Sequence, residues 1–442
     1  MKRSAEAPVS PPPVRRKLQS TTTKGAVAKF FTPASKKDPD PITWRIVDNS
    51  LLIGRYAPAS SEGPSPPAPK VIRIAAFDFD STLIQSSSGN KFAKNAQDWK
   101  WWNPVVPGKL STLHTEGYLV VVLSNQGGIS LKSDPKSVKS DQKRLADFKE
   151  KVLLVFQQLD FPVTIYAATS RDQYRKPRTG MWKEMLEDYD LEGADSVDIE
   201  NSFLVGDAAG RTAESKQARD HSCSDRDFAC NIGIRFHTPE EFFLKEDPRP
   251  FTRDFDPPKY MIEQEGKSRK DSPEFTKRNE LDIILFCGSP GAGKSTFYWN
   301  YLKPLGYERV NQDTLKTRDK CIEYAKRYIS DGISVAVDNT NADKETRAKW
   351  LQVAKQLEVP MRCVYFTAPV RLCEHNDVVR ALNGEGTNPE KRIMLPKIAF
   401  TGFASRFREP ATEEGFQDIT RIDFRFEGND EHRAAWTKYW VS

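Results

Sequence analysis

Val71-Ile-Arg-Ile-Ala-Ala-Phe77-Asp78-Phe79-Asp80-Ser-Thr82-Leu-Ile-Gln85 is the stretch from which the rest of the chain is read. Val71 to Phe77 is an apolar run broken only by Arg73. Such a run, bounded by polar residues, predicts a strand buried in a parallel sheet. It delivers two aspartates to its C-terminal end, where open α/β sheets place their chemistry. Side-chain alternation turns Asp78 and Asp80 to one side and Phe79 to the other. Two carboxylates that close repel unless one is protonated or a cation lies between them. The pair therefore points to a hard cation such as Mg²⁺. The plain alternative is a turn that contains two aspartates.

The surrounding composition sets limits. At roughly 150 residues per domain, 442 residues suggest two or three domains. Lys and Arg outnumber Asp and Glu, 67 to 61, so the net charge of +6 is too mild to argue for a polyanionic partner. Six cysteines, none in a C-x-x-C pair, predict a reduced intracellular chain without disulfides or a zinc site. No apolar run approaches the roughly 20 residues of a membrane span, and no apolar signal peptide follows Met1.

Twelve of the 30 prolines precede residue 71, so residues 1–40 are expected to lack a packed core. Lys2-Arg3 and Arg15-Arg16-Lys17 resemble a bipartite nuclear import signal, which predicts a nuclear protein; the alternative is a solvated basic tail. Val27, Phe30 and Phe31 weakly resemble a motif that docks on the replication sliding clamp, with Lys24 where Gln is usual. Residues 41–70 read as two short strands around Asp48-Asn49 and then a Pro/Ser linker.

Residues 71–244 alternate strand and helix signals. Asp98-Trp99-Lys100-Trp101-Trp102 offers aromatic rings beside a cation, suited either to stacking on nucleobases or to packing a loop. Leu119 to Leu123 reads as a strand, followed by Ser124-Asn125-Gln126-Gly127-Gly128, a hydroxyl and flexible backbone fit for phosphate oxygens. Leu145, Phe148, Val152, Val155 and Leu159 recur at helical spacing, which predicts a helix over 141–159. Val163 to Ala168 is a third strand. Lys176-Pro177 lies in a basic segment with Arg171, Arg175 and Arg178. A fourth strand ends in Gly206-Asp207, and Asp225 follows.

Asp-x-Asp-x-Thr, then Ser-Asn, Lys-Pro and Gly-Asp in βα alternation resembles the haloacid dehalogenase superfamily of phosphotransferases. The resemblance implies that Asp78 is the nucleophile taking a phosphoryl group as an acyl phosphate. Asp80 would be the general acid, then the base for water. Asp78, the Asp80 carbonyl and Asp207 would hold Mg²⁺. Thr82, Ser124, Asn125 and Lys176 would contact the phosphate. Asp225 is a loop or supporting candidate only.

Residues 245–279, with five prolines, read as a connection. Then Leu281 to Cys287 is a buried strand, followed by Gly288-Ser289-Pro290-Gly291-Ala292-Gly293-Lys294-Ser295-Thr296 and a helical pattern from Phe297. Gly-x-x-x-x-Gly-Lys-Ser between strand and helix is a P-loop that binds nucleotide phosphates, with Ser295 a candidate Mg²⁺ ligand. Further strands precede Asn311-Gln312-Asp313 and Asp338-Asn339-Thr340-Asn341. Asp313 is either a general base for an attacking hydroxyl or a helix N-cap. Asp338, and Arg347, Arg371 and Arg380 on later helices, are further candidates, the last two on a possible lid or a solvated face.

Across 71–442 the chain is α/β, a haloacid dehalogenase-like unit followed by a P-loop kinase unit, both with mostly parallel sheets. This order resembles the eukaryotic polynucleotide kinase 3′-phosphatase family. It implies healing of DNA ends: 3′-phosphate removal in units 71–244 and ATP-dependent 5′-OH phosphorylation in 280–442, by a monomer. Residues 1–70 are too short and Pro-rich for the forkhead-associated domain of metazoan members. Gln312 stands where members often carry Arg. Alternatives are an RNA end healer, a fused metabolite phosphatase and kinase, and a non-catalytic scaffold.

Overall fold

The computed structural model describes residues 41–58, 71–91, 93–132, 138–193, 195–214, 218–265, 275–384, 388 and 390–441. The basic clusters, the clamp-like Val27, Phe30 and Phe31, and most of the Pro/Ser linker lie outside the described residues.

The first unit is built on one seven-stranded sheet. Its chain begins with β1 (Ile42–Val47) and β2 (Leu51–Tyr56), an antiparallel hairpin. Asp48 and Asn49 turn it with φ of 49° and 53°, a conformation these two residue types tolerate best after glycine. Then come β3 (Arg73–Phe77), the small antiparallel pair β4 (Ile84–Gln85) and β5 (Lys100–Trp101), β6 (Tyr118–Asn125), β7 (Val163–Ala168), β8 (Phe203–Val205) and β9 (Arg235–His237). The sheet order is β1-β2-β7-β6-β3-β8-β9. β7, β6, β3, β8 and β9 run parallel, and the hairpin joins the β7 edge antiparallel.

β3 and β6 are central and covered on both faces, which is why they read as continuous apolar runs. Ala75 and Phe77 face one core and Ile74 and Ala76 the other. The strand is shorter than its apolar run: Val71 is 45 % exposed, and Ile72 makes only an isolated bridge to Val197. The helix expected over 141–159 spans Val138–Phe156, with Phe148, Val152 and Val155 buried.

The second unit carries β10 (Ile283–Cys287), β11 (Glu308–Val310), β12 (Val335–Val337), β13 (Met361–Phe366) and β14 (Ile419–Ile422), all parallel in the order β11-β12-β10-β13-β14. β14 has no clear signal in the sequence, because Ile-Thr-Arg-Ile is short and half polar. The helix after the P-loop is α-helical only over Lys294–Phe297 and widens into a π-helical turn at Tyr298–Leu302, a local form often found near functional sites.

The connection touches both units. Phe251 bridges to Arg211 of the first. Met261, on helix Pro257–Glu265, packs with Leu372, Val379 and Trp436 of the second. Among the described residues no helix is long and apolar enough to cross a membrane.

Candidate active sites

Asp78 leaves β3 with its backbone N–H donating to Val205 O at 2.8 Å, which fixes it between the ends of β3 and β8. Phe79 turns inward onto Phe148 and Phe156, so Asp78 and Asp80 both face one cavity, as alternation requires. The cavity is about 1610 Å³ and is also lined by Ser124, Asn125, Gln126, Lys176, Asp207 and Asp225.

Lys176 is the electrostatic centre. Its Nζ donates to Asp78 Oδ1 at 2.7 Å and to Leu123 O at 2.7 Å, and pairs with Asp225 Oδ1 at 2.8 Å. Asn125 holds the lysine by its backbone: Lys176 N donates to Asn125 Oδ1 at 2.9 Å, and Asn125 Nδ2 donates to Lys176 O at 3.2 Å. Asn125 thus positions the cation as well as lining the cavity. Ser124 Oγ accepts from Gln126 Nε2 at 2.9 Å, and the same Nε2 donates to Asp80 Oδ2 at 2.6 Å.

Carboxylate oxygens of Asp78, Asp207 and Asp225 lie within 4.8 Å of one another. Burial pushes the Asp78 carboxyl up to about 7, with Lys176 opposing the rise and Asp225 adding to it. Burial, then the charges of Asp78 and Asp225, push Asp207 up to about 8. Burial would lower Lys176, but Asp225 and Asp78 raise it instead, so the ammonium stays charged. Three acids facing one lysine leave unbalanced negative charge, and an oxygen-rich site of that kind suits Mg²⁺.

Asp225 therefore belongs to the acidic centre, not to a peripheral loop. Glycine at 206 makes room for it: a Cβ there would fall 2.4 Å from Asp225 Oδ2. Asp80 is not one of the three clustered acids. Thr82 is a correction. It is fully buried and does not line the cavity, so its hydroxyl has no path to a phosphoryl group held there.

The tryptophans mostly pack. Trp101 and Trp102 lie against the first core, and Trp102 meets Phe243 at 5.9 Å; only Trp99 also reaches the cavity. Asp98 ties this loop together, accepting from Lys94 N, Ser88 N and both Ser88 and Ser87 hydroxyls. The Lys94 and Ser88 hydrogen bonds hold its carboxyl well below the usual range. Lys94, Lys100, Arg144, Lys151, Arg171 and Arg175 line the same cavity and give it a basic rim.

In the second unit Gly291 has φ of +76°, and a Cβ there would fall 2.2 Å from Cys373 O. No other residue type fits so close an approach in that conformation. Lys294 Nζ donates to Gly288 O at 3.0 Å and Ser289 O at 2.6 Å. Burial lowers its pKa, partly offset by Asp338. Ser295 Oγ donates to Asp338 Oδ2 at 2.8 Å. Arg309 Nη2 pairs with the same oxygen at 2.6 Å and donates to Ser295 Oγ at 3.1 Å.

Asp313 is not an N-cap. That role falls to Asn311, whose side chain accepts from Asp313 N at 2.7 Å. The Asp313 side chain is 73 % exposed and lies 3.4 Å from Arg392 Nη1. A second cavity of about 430 Å³, lined by Gln312, Arg318, Asn339 and Arg406 among others, opens beside it.

Three arginines depart from expectation. Arg347 is fully buried, gripping Glu414 at 2.7 and 2.8 Å and the carbonyls of Asn341, Ala342 and Arg408, so it has no freedom to meet a phosphoryl group. Arg347→Leu should cost about 3–5 kcal/mol by leaving the Glu414 carboxylate without its cation, read as a lower urea midpoint for the variant. Arg371 pairs with Glu374 and Asp254 and lines the cavity of the first unit. Arg380 pairs with Asp377. Their helix, Val370–Leu382, buttresses the P-loop: Cys373 packs under Gly291, and Asn376 Nδ2 donates to Gly291 O at 3.0 Å. Leu372, Cys373 and His375 are buried, which suits a support and not a lid.

Comparison with known proteins agrees with the two-part geometry. Residues 73–243 match the family described as polynucleotide kinase 3 phosphatase, and residues 283–320 and 316–410 match the family described as AAA domain. A bifunctional polynucleotide phosphatase/kinase of Schizosaccharomyces pombe is 38 % identical over 400 residues, 90 % of this chain and 88 % of the relative. The chain belongs to the bifunctional polynucleotide phosphatase/kinase family. Other relatives match over a single region. A polynucleotide 3′-phosphatase of Arabidopsis thaliana is 34 % identical over 192 residues, 41 % of this chain and 25 % of the relative. A polynucleotide 3′-phosphatase of Saccharomyces cerevisiae is 29 % identical over 224 residues, 39 % of this chain and 87 % of the relative.

Against the family's two-site plan, sequence reasoning missed Gln126, Arg309 and Arg392. Gln126 sits directly after Ser124-Asn125, a signal that was there to use. Arg309 lies two residues before Asn311, near the end of β11, where alternation could have flagged it. Arg392 comes from an irregular charged segment with no periodic cue.

Proposed function

We propose that this enzyme heals broken DNA ends in the nucleus, removing 3′-phosphates at the first site and phosphorylating 5′-hydroxyls with ATP at the second. The observation that carries the first half is Lys176 locked between Asp78 and Asp225 beside Asp207. Asp78 attacks phosphorus as the bond to the 3′ oxygen breaks, and Asp80 donates a proton to that leaving oxygen. Asp80, held by Gln126, then takes a proton from the water that releases phosphate from Asp78. Lys176 and Ser124 hold the phosphoryl oxygens. Asp78, Asp207 and Asp225 would hold a magnesium ion, which supplies neutralising charge when bound.

At the second site the P-loop N–H groups and Lys294 cradle the nucleotide phosphates, and Ser295 and Asp338 offer oxygens for its Mg²⁺. Asp313 takes the proton of the 5′-hydroxyl. Arg309 and Arg392 neutralise the transferring phosphoryl; Arg392 also supplies positive charge beside Asp313, where Gln312 brings none.

The assay is a nicked duplex with 3′-phosphate and 5′-OH termini, supplied with Mg²⁺ and ATP. Both ends should be converted; conversion of neither would overturn the reading. A 5′-OH RNA acceptor preferred over DNA would move the substrate to RNA ends. Deleting residues 1–17 should shift tagged protein out of the nucleus; unchanged accumulation would refute the import signal.

Metal should also be visible in stability. Asp78 and Asp207 have raised folded-state pKa values, so their contribution is fully present below about pH 4 and is lost as pH rises through 7 to 8. Metal-free protein should therefore show a Tm lower by roughly 5–10 °C at pH 8.5 than at pH 5.5. Mg²⁺ should restore most of the difference, and Asp207→Asn should flatten the profile. A metal-free profile that is already flat would count against the cation site.

A further inference from the structure

We infer that the segment Tyr439–Trp440 of the second unit, acting through Asn231, is a positioning element for Lys176, so that phosphatase turnover depends on contact with the kinase unit. This rests on the proposed role of Lys176 in phosphoryl transfer.

The contacts form a short chain. Asn231 Nδ2 donates to Pro177 O at 2.9 Å and to Tyr439 O at 2.7 Å, while Tyr439 N donates to Asn231 Oδ1 at 2.8 Å. One amide thus binds both the residue after Lys176 and the backbone of the distant segment. Next to Pro177, Arg178 Nε donates to Trp440 O at 3.3 Å, while its Nη1 reaches Asp172 O at 2.7 Å. Tyr439 is fixed from a third side: the Arg253 guanidinium lies 4.5 Å from its ring centroid and pairs with Asp227 at 2.7 Å. The segment is anchored to its own unit by Trp440 Nε1 donating to Ala435 O at 2.8 Å.

The Lys176 backbone is also held by Asn125, while its side chain is held by Asp78, Leu123 O and Asp225. The Lys176-Pro177-Arg178 loop is therefore clamped between Asn125 of the first unit and the Asn231–Tyr439 pair. Loop peptides hydrogen-bonded on one side only have room to move, and misplacing a catalytic group by about 1 Å costs up to about 10²-fold in rate. The second unit supplies no group to the reacting atoms through this contact. It supplies rigidity.

Two variants test this: Asn231→Ala, and a chain stopped before Tyr439. Each is assayed on a 3′-phosphorylated oligonucleotide, on p-nitrophenyl phosphate and, in the same preparation, for 5′-OH kinase turnover. Loss of positioning should lower phosphatase kcat on both phosphate substrates by about 10- to 100-fold, with KM within about twofold and kinase kcat unchanged. Asn231→Asp, which keeps the acceptor toward Tyr439 N but loses the donor toward both carbonyls, should fall as far as Asn231→Ala. Unchanged phosphatase kcat in both variants would overturn the inference. So would a rise in KM for the oligonucleotide alone, since that would make the segment a strand contact. If the shortened chain loses both activities and its Tm falls, Asn231→Ala decides by the same criteria. Wild-type protein that turns over p-nitrophenyl phosphate but not the oligonucleotide would sink the DNA reading and leave this one intact.

Discussion

Asp78→Asn lowers 3′-phosphate release by about 10⁴–10⁶-fold, while 5′-OH kinase turnover of the same preparation stays within about twofold. Asparagine keeps the volume of the side chain and removes the attacking oxygen's charge. Two neighbouring carboxylates are already engaged, Asp225 by Lys176 and by Ala208 N at 3.1 Å and Asp80 by Gln126. The fold should tolerate the change. Lys176 keeps Asp225, and one acid fewer in a crowded pocket relieves repulsion, so the Tm of metal-free protein at pH 8.5 should stay level or rise. A variant that retains even a hundredth of wild-type phosphatase turnover would remove Asp78 from the nucleophile's role. A variant that loses the kinase as well, with an unchanged Tm, would show that the two sites are not separate.

Lys294→Ala gives the reciprocal result. Kinase kcat falls by at least about 10²–10³-fold, the size of losing one fixed charge at a transition state, and phosphatase turnover is unaffected. Lys294 is buried and bonded to the carbonyls of Gly288 and Ser289. Its ammonium must leave those carbonyls to meet the β- and γ-phosphates, and burial makes it a poorly solvated, hence strong, partner for them. Truncation removes a donor from the Gly288 carbonyl, while Ser289 O keeps Ala292 N at 3.2 Å, a modest cost. Nucleotide affinity should drop as well, measured by fluorescence of a labelled ATP analogue. Normal kinase kcat with only a raised KM for ATP would assign Lys294 to binding alone.

Much of both sites was legible because it is local. An apolar run ending in Asp-Phe-Asp fixes the direction of two carboxylates by alternation alone. Three glycines, Lys294 and Ser295 between a strand and a helix define a phosphate cradle through φ angles and N–H directions set within nine residues. Asp207 could be found by the same logic, as the acid that ends a parallel strand. Thr82 and Arg347 misled for one reason: their neighbours in sequence do not reveal that both side chains turn into the interior. Arg347 lies on the buried face of helix Lys344–Gln356, and its partner Glu414 comes from a segment 67 residues away.

The sequence by itself determined two α/β units, the strand ends that bear their reactive groups, and the chemistry those groups can perform, since strand alternation and glycine geometry act over a few residues. Only the tertiary structure decided that Asp225 joins Asp78 around Lys176, that Arg309 and Arg392 converge on Ser295 and Asp313, and that Tyr439 grips Asn231. Charge pairing and backbone capture between distant segments depend on how the packed sheets bring them within about 3 Å, the reach of a hydrogen bond, and no local pattern encodes that distance.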